Sequence, residues 1–201
     1  MVGLLRNRGI AEEDRARLAP GQHLVRDFPV LHAGAVPYAT APPDWDLHVW
    51  GAALDGEARW TLSELRERAA TRVTCDIHCV TTWTKLDTVW EGVALGALLR
   101  ELGLRPEASH VIAHAEQGYT ANVPLERAMR DDVLMAHRYD GRDLTPEHGG
   151  PVRLLVPSLY FWKSAKWLRG IEVIDHDEPG YWERLGYSNT ADPWKEERYA
   201  F

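Results

Sequence analysis

An α+β fold is what this sequence predicts, on two observations. Many short segments of strand period are interleaved with a few short helical ones, and regular strand–helix–strand spacing is absent. The 201 residues suit one domain with extensions and are enough for a sizeable core. At 45% apolar and 26% charged residues, the composition is that of an ordinary soluble globular protein.

The elements follow in order. Residues 1–27 read as a charged arm with a short helix around 11–18. Residues 28–43 carry four prolines, which exclude a regular element and predict an extended loop lying over something else. Trp45, Leu47 and Val49 alternate as a strand, and Asp55-Gly56 is a turn signal. Thr61-Leu62-Ser63-Glu64 has the capping-box form and opens a helix to about residue 70. Val73, Cys75, Ile77 and Cys79 then alternate with Thr74, Asp76 and His78, the period of a half-buried strand. After Cys79 the chain is expected to enter an aromatic loop.

Val93, Leu95, Leu98, Leu99 and Leu102 follow helical spacing, and Gly103 supplies the stop. Residues 109–115 and 118–123 read as strands, and Pro124 opens a helical turn through Arg130. A further strand, 133–137, precedes the turn signal Asp140-Gly141. The last strands, 151–156 and 167–174, are joined by a loop over 157–166. This gives an arm (1–27), a domain (28–174) and an aromatic, charged tail (175–201) packed on its surface. There is no internal repeat.

The formal charge of −7 argues against nucleic acid or an anionic membrane as partner. No apolar run approaches the roughly 20 residues of a membrane span, and no signal-peptide core opens the chain, so a cytoplasmic protein is expected. Two cysteines give no disulfide framework. On one strand they stand roughly 13 Å apart, too far for a bridge, so both are expected to be free thiols.

Four signals carry chemistry. Cys79 closes a strand, where a side chain can leave the core; it is either a small buried hydrophobe or a reactive or ligating sulfur favoured by a cation such as Lys85. Cys75, in mid-strand, reads as core. From His148 to Ile171 there is no acidic residue, yet Arg153, Lys163, Lys166 and Arg169 occur, beside Tyr160, Phe161 and Trp162. That pattern suits a phosphate bound next to a flat ring system, against the plainer reading of a solvated basic face. His32 lies between prolines in a loop with no other evident reason for order, and His148-Gly149-Gly150 precedes the strand bearing Arg153. Cys75, His78 and Cys79 mimic a zinc cluster, but strand parity sends His78 to the opposite face. Glycine-rich nucleotide loops, the Gly-x-Ser-x-Gly elbow and the haem-attachment motif are absent.

Together these residues resemble the molybdopterin-binding domain of the sulfite oxidase family, over about 28–174. His32 in HAGAVP is similar to the family's His-Gly-Pro-Ile/Val-Pro loop. Cys79-Val80-Thr81-Thr82-Trp83 resembles the Cys-Val-x-x-Trp of its bacterial protein-methionine-sulfoxide reductase branch. Gly118-Tyr119 through Pro124-Leu125, His148 through Arg153 and on to Pro157, and Lys163-Ser164-Ala165-Lys166-Trp167 match three further segments in order.

The resemblance implies mixed β-sheets with short flanking helices and a molybdenum–molybdopterin cofactor. It implies Cys79 as the ligand to molybdenum, with His32, His148, Arg153, Lys163, Ser164 and Lys166 holding the pterin and its phosphate. Thr84 and His114 are further candidates for that pocket. Two-electron oxygen-atom transfer on a small or sulfoxide-type substrate follows, with a separate electron-transfer partner. The sulfite-oxidising members follow their cysteine with Gly-Asn-Arg, whereas Thr81, Thr82 and Trp83 stand here. Two alternatives are a cysteine hydrolase or transferase pairing Cys79 with His32 or His114, and a non-catalytic module binding through its aromatic tail.

Overall fold

The computed structural model describes residues 9–200; residues 1–8 of the expected arm lie outside them. Among the described residues, strands fall into two mixed sheets with four short α-helices, an α+β architecture as expected. The first sheet holds β1 (His23–Leu24), β4 (Thr71–His78), β5 (Trp83–Ala94), β8 (Leu134–Tyr139), β9 (Arg142–Asp143) and β10 (Arg153–Leu155). The second runs β3 (Ala58–Thr61), β2 (Asp46–Trp50), β11 (Leu168–Ile174), β6 (His110–Ala115), β7 (Thr120–Pro124). The helices are α1 (Glu12–Ala16), α2 (Leu62–Glu67), α3 (Leu95–Leu102) and α4 (Leu125–Ala128).

The first sheet is covered on both faces, so its strands read as continuous apolar runs more than as alternating ones. On β8, Met135 joins the large core with Leu47, Val49, Leu98 and Ile171, while Leu134 and Ala136 face a second core with Ile77, Trp83, Trp90 and Phe161. Strand β10 divides the same way, Leu154 to the first core and Leu155 to the second. Arg153 shares the parity of Leu155 and so projects among aromatic rings. Val73, Cys75 and Cys79 also pack on the second core, as their spacing predicts, and both cysteines are free.

The capping box forms: Glu64 N donates to Thr61 Oγ1 at 3.3 Å and Thr61 N donates to Glu64 Oε2 at 2.8 Å. Helix α2 stops at Glu67 because Arg68 is already extended on the way into β4. The largest departure is β5, twelve residues long, where the sequence suggests an aromatic loop. Val93 is its penultimate residue, paired with Met135, so α3 begins at Leu95.

The arm is tied to this sheet, and the tail reaches the interior. Arg17 donates from Nε and Nη2 to Asp76 at 2.9 and 2.6 Å and from Nη2 to Asp87 at 2.6 Å, and β1 pairs parallel to β5. From the tail, Glu183 meets Lys163 in the interior. No described helix is long and apolar enough to cross a membrane.

Candidate active site

Strand β4 ends at His78, and four residues turn the chain into β5. Cys79 N donates to Trp83 O at 2.9 Å, Thr82 N donates to Cys79 O at 3.0 Å, and Thr82 takes φ +76°. A β-branched residue in the left-handed region is strained and persists only where its surroundings enforce it. Here they do: Gln22 Nε2 from the arm donates to Cys79 O at 3.1 Å, and Arg198 Nη1 from the tail donates to Val80 O at 2.7 Å. The turn is thereby held from both ends of the chain.

Cys79 and Thr81 line a pocket of about 380 Å³, within the range of small-molecule sites. Thr81 Oγ1 donates to Cys79 Sγ at 3.1 Å. Burial pushes this thiol up, while the Thr81 hydrogen bond and the charges of Arg198 and Lys166 pull it down. Lys85 has no such part, because its Nζ is spent on Arg26 O; the cations beside the sulfur come from distant loops. Cys75 is different: burial pushes its thiol up to about 12, as befits a core residue.

Arg153 and Lys166 line the same pocket. Arg153 is 1% exposed; Nη1 donates to His148 O at 2.8 Å and Nη2 to Ser164 O at 2.7 Å, with the guanidinium 4.2 Å over Phe161 and 5.5 Å from Trp90. Lys166 Nζ donates to Leu31 O at 2.8 Å and Glu147 O at 2.6 Å. Every one of these acceptors is a neutral carbonyl, so two positive charges stand without a carboxylate. The consequences are visible in their basicity. Burial, then Arg153, pushes Lys166 down to about 7, and burial, then Lys166 and Arg153, pushes His148 down to about 4. Burial also works against the Arg153 charge, which a guanidinium nevertheless keeps.

The loop before β10 brings these charges together. Trp167 N donates to Gly149 O at 3.1 Å. Gly149 has φ +98°, and a Cβ there would lie 2.8 Å from Lys166 Cβ, so only glycine fits. Trp167 itself has φ +52° and is fixed by Nε1 donating to Pro146 O at 2.7 Å. The proline-rich loop covers the pocket with Phe28, Leu31 and His32. His32 is ordered by Nδ1···Gly34 O at 3.0 Å and by its edge contact with Trp167.

Of the nine residues picked from the sequence, five line this pocket: His32, Cys79, Arg153, Ser164 and Lys166. The other four lie elsewhere. His148 stacks on Phe28 at 4.0 Å, behind the wall, with Nδ1 buried and unpartnered. Lys163 points into the interior, 2.6 Å from Glu183 Oε1 and 2.7 Å from Asn122 Oδ1. Thr84 Oγ1 is engaged by His78 Nδ1 at 2.8 Å. His114 is on the second sheet, 2.8 Å from Glu172 and beside Trp50. Arg169 is likewise neutralised, by Asp46 at 2.8 Å. Sequence reasoning missed the rings Tyr181, Trp182 and Tyr187, which line the rest of the pocket beside Tyr119 and Trp162; the aromatic density of the tail was the available signal.

These residues fit a molybdopterin group. A phosphate-bearing pterin needs uncompensated cations, which Arg153 and Lys166 supply, and a flat ring system suits walls of Phe28, Trp83 and Trp167. A soft metal needs a soft donor, and the thiol provides one.

Comparison with known proteins agrees with this geometry. The family model "Oxidoreductase molybdopterin binding domain" matches residues 33–182. The oxidoreductase YuiH of Bacillus subtilis is 42% identical over 189 residues, covering 94% of this chain and 95% of that protein. Mitochondrial sulfite oxidase of Drosophila melanogaster is 30% identical over 177 residues, covering 75% of this chain but only 30% of the longer protein. In fold, the sulfane dehydrogenase SoxCD of Paracoccus pantotrophus superposes with a TM-score of 0.62 at 21% identity, over 89% of this chain and 56% of that one. The chain therefore belongs to the oxidoreductase molybdopterin binding domain family and is a molybdenum-cofactor oxidoreductase.

Proposed function

We propose that this protein catalyses two-electron oxygen-atom transfer on a small substrate, with Cys79 as the protein ligand to molybdenum. The observation that carries the reading is the pairing of one thiol with two cations that lack carboxylate partners, on the walls of one pocket. Bound there, the cofactor supplies the two-electron oxygen-transfer chemistry. The chain's share is to hold and orient it. Cys79 gives a sulfur donor, Arg153 and Lys166 neutralise the phosphate, and His32 and Ser164 complete the lining, with His148 behind it. The second half of turnover is an electron exchange with a separate partner. Against a cysteine hydrolase, Cys79 Sγ accepts from the Thr81 hydroxyl, His32, though on the same pocket, turns Nδ1 to Gly34 O, and His114 sits on the other sheet. Elemental analysis of protein made in a cofactor-competent host is expected to give molybdenum near one per chain; metal-free protein from that host would count decisively against the reading.

Thr81 is expected to tune the ligand. Outer hydrogen bonds to a ligating atom are typically worth about 10- to 100-fold in metal affinity or activity. Thr81→Ala should thus lose molybdenum about tenfold faster on dialysis, and Thr81→Ser, which keeps the donor, should not. Equal retention by both variants would remove Thr81 from the account.

Lys166 gives the anion site a pH signature. With its folded value at about 7 and its unfolded value near 10.4, the apoprotein gains stability as pH rises from 7 to 10, where only the unfolded chain keeps the proton. A bound anion restores the charge. Binding of sulfate, which carries no titratable proton at this pH, to apoprotein at pH 8 should therefore take up close to one proton, and its affinity should fall as pH rises above 7. Calorimetry in two buffers of different ionisation enthalpy reads the uptake, and zero uptake would show that Lys166 does not meet the anion.

A further inference from the structure

The turn that presents Cys79 is gripped by two side chains outside the 33–182 span of the family model, Gln22 of the arm and Arg198 of the tail. Arg198 does more than close one hydrogen bond. Its Nη1 donates to Val80 O at 2.7 Å and its Nη2 to Pro20 O at 3.3 Å, so one planar fork joins tail, turn and arm. The guanidinium lies 5.0 Å over Tyr160, a ring of the cluster in which Val80 packs. The tail is folded to bring it there. Tyr187 and Tyr199 form an antiparallel bridge, Ser188 N donates to Arg198 O at 3.1 Å, and Ala200 N donates to Gly186 O at 3.0 Å, which pins the backbone on both sides of Arg198.

The charge of this fork is not cancelled by contact. On the arm side Gly21 has φ +71°, and a Cβ there would stand 3.3 Å from Arg198 Nη2 and 2.9 Å from Glu196 Oε1. Glu196 thus approaches the same glycine, but the acceptors of the fork are neutral carbonyls. Glu116, a carboxylate in the pocket lining, is engaged instead by Arg169 at 3.8 Å. Arg198 and Lys166 are the cations that act on the Cys79 sulfur.

Two consequences reach that sulfur. Thr82 is held at φ +76°, and a β-branched residue there relaxes when its surroundings let go, so a lost grip on Val80 O frees the turn to move Cys79. An electron arriving at a metal on the sulfur also meets a fixed positive charge close by, which favours the reduced state.

We propose that Arg198 is a positioning residue for the Cys79 ligand: it locks the turn that presents the sulfur to the pocket and lends the metal site a positive charge that raises its reduction potential. The proposal rests on the function proposed above and deepens it.

Two variants separate lock from charge: Arg198→Met removes both, and Arg198→Lys keeps the charge without the planar fork. The first measurement is amide exchange at Thr82, whose N donates to Cys79 O, on the full chain with and without molybdenum. Both variants are expected to exchange there at least about tenfold faster than wild type, with the amides of β8 unchanged. The second is potentiometric titration of the molybdenum-loaded proteins. At a fixed potential Arg198→Met should shift the oxidised-to-reduced ratio about tenfold toward the oxidised form, a fall of about 59 mV for a one-electron step, while Arg198→Lys stays within about threefold of wild type. Molybdenum lost from Arg198→Met but kept by Arg198→Lys supports the proposal as well. An unchanged potential in loaded Arg198→Met, or wild-type exchange at Thr82 in that variant, overturns it. Wild-type protein that holds no molybdenum overturns the ligand reading alone; faster exchange at Thr82 in both variants still supports the lock on the turn.

Discussion

Replacing Cys79 with serine is expected to yield a folded protein that has lost its oxidoreductase activity, by more than the roughly 10- to 100-fold that outer partners of a metal command. Serine is nearly isosteric and can keep the Thr81 contact, so the turn between β4 and β5 has no steric reason to move. The backbone bonds to Gln22 and Trp83 are also untouched. What changes is the donor atom, from a soft sulfur to a hard hydroxyl that stays protonated at neutral pH. Molybdenum should therefore bind weakly or in altered coordination, visible in elemental analysis and in loss of sulfur-to-metal charge-transfer absorption. Cys75→Ser is the control. That thiol touches Thr88 Oγ1 at 3.6 Å on the core side of β4 and does not line the pocket. Its replacement should cost stability and leave the metal in place. Activity and metal retained in Cys79→Ser, or lost equally in Cys75→Ser, would refute the assignment.

The difference between the two thiols was legible in the sequence, because strand period and strand end are local properties. So was the capping box of α2 and the stop at Gly103, which takes φ +80°. Strand β5 was hidden for a physical reason. Its register against β4 shifts between Cys75 and Ile77, where β5 carries the extra residue and Asp87 has φ +53°, so the alternation of WTKLDTVWEGVA changes phase there; a second shift, between Glu91 and Gly92, puts the extra residue on β8 and leaves the parity of β5 unchanged. At Gly92 the second shift brings the backbones so close that a Cβ would sit 2.3 Å from Met135 O. The site was half legible. A stretch without acidic residues drew attention to Arg153 and Lys166 correctly, but it counted Lys163 and Arg169 as free cations, since Glu183 and Asp46 are remote in sequence. His114 shows the opposite failure. Its place near the end of β6 was right, yet parity puts it against Trp50 and Glu172, on another sheet from the thiol.

The Lys163–Glu183 pair gives the largest expected effect on stability. Removing one partner of a buried pair leaves the other charge without solvent or counter-ion, which costs about 3–5 kcal/mol. For a chain of this size that is a fall in Tm of roughly 6 to 20 °C. The two single variants should respond to pH differently. In Glu183→Gln, Lys163, whose burial already pushes it down, sheds its proton in the folded state while the unfolded chain keeps one, so stability climbs as pH rises toward 10. In Lys163→Met, the stability is lost without that upward slope, because the amine that sheds its proton is gone. The double variant Lys163→Met with Glu183→Gln should recover most of the loss and respond little to pH, because neither charge remains. The cost also reaches the pocket wall. Trp162 Nε1 donates to Glu183, and Tyr119 donates to Trp162 O at 2.6 Å, so Glu183 props two of the rings. Chemical denaturation of all three variants at pH 6 and pH 9 reads the slopes directly. Parallel pH responses in the two single variants would show that the pair is hydrated and that the tail does not close the interior.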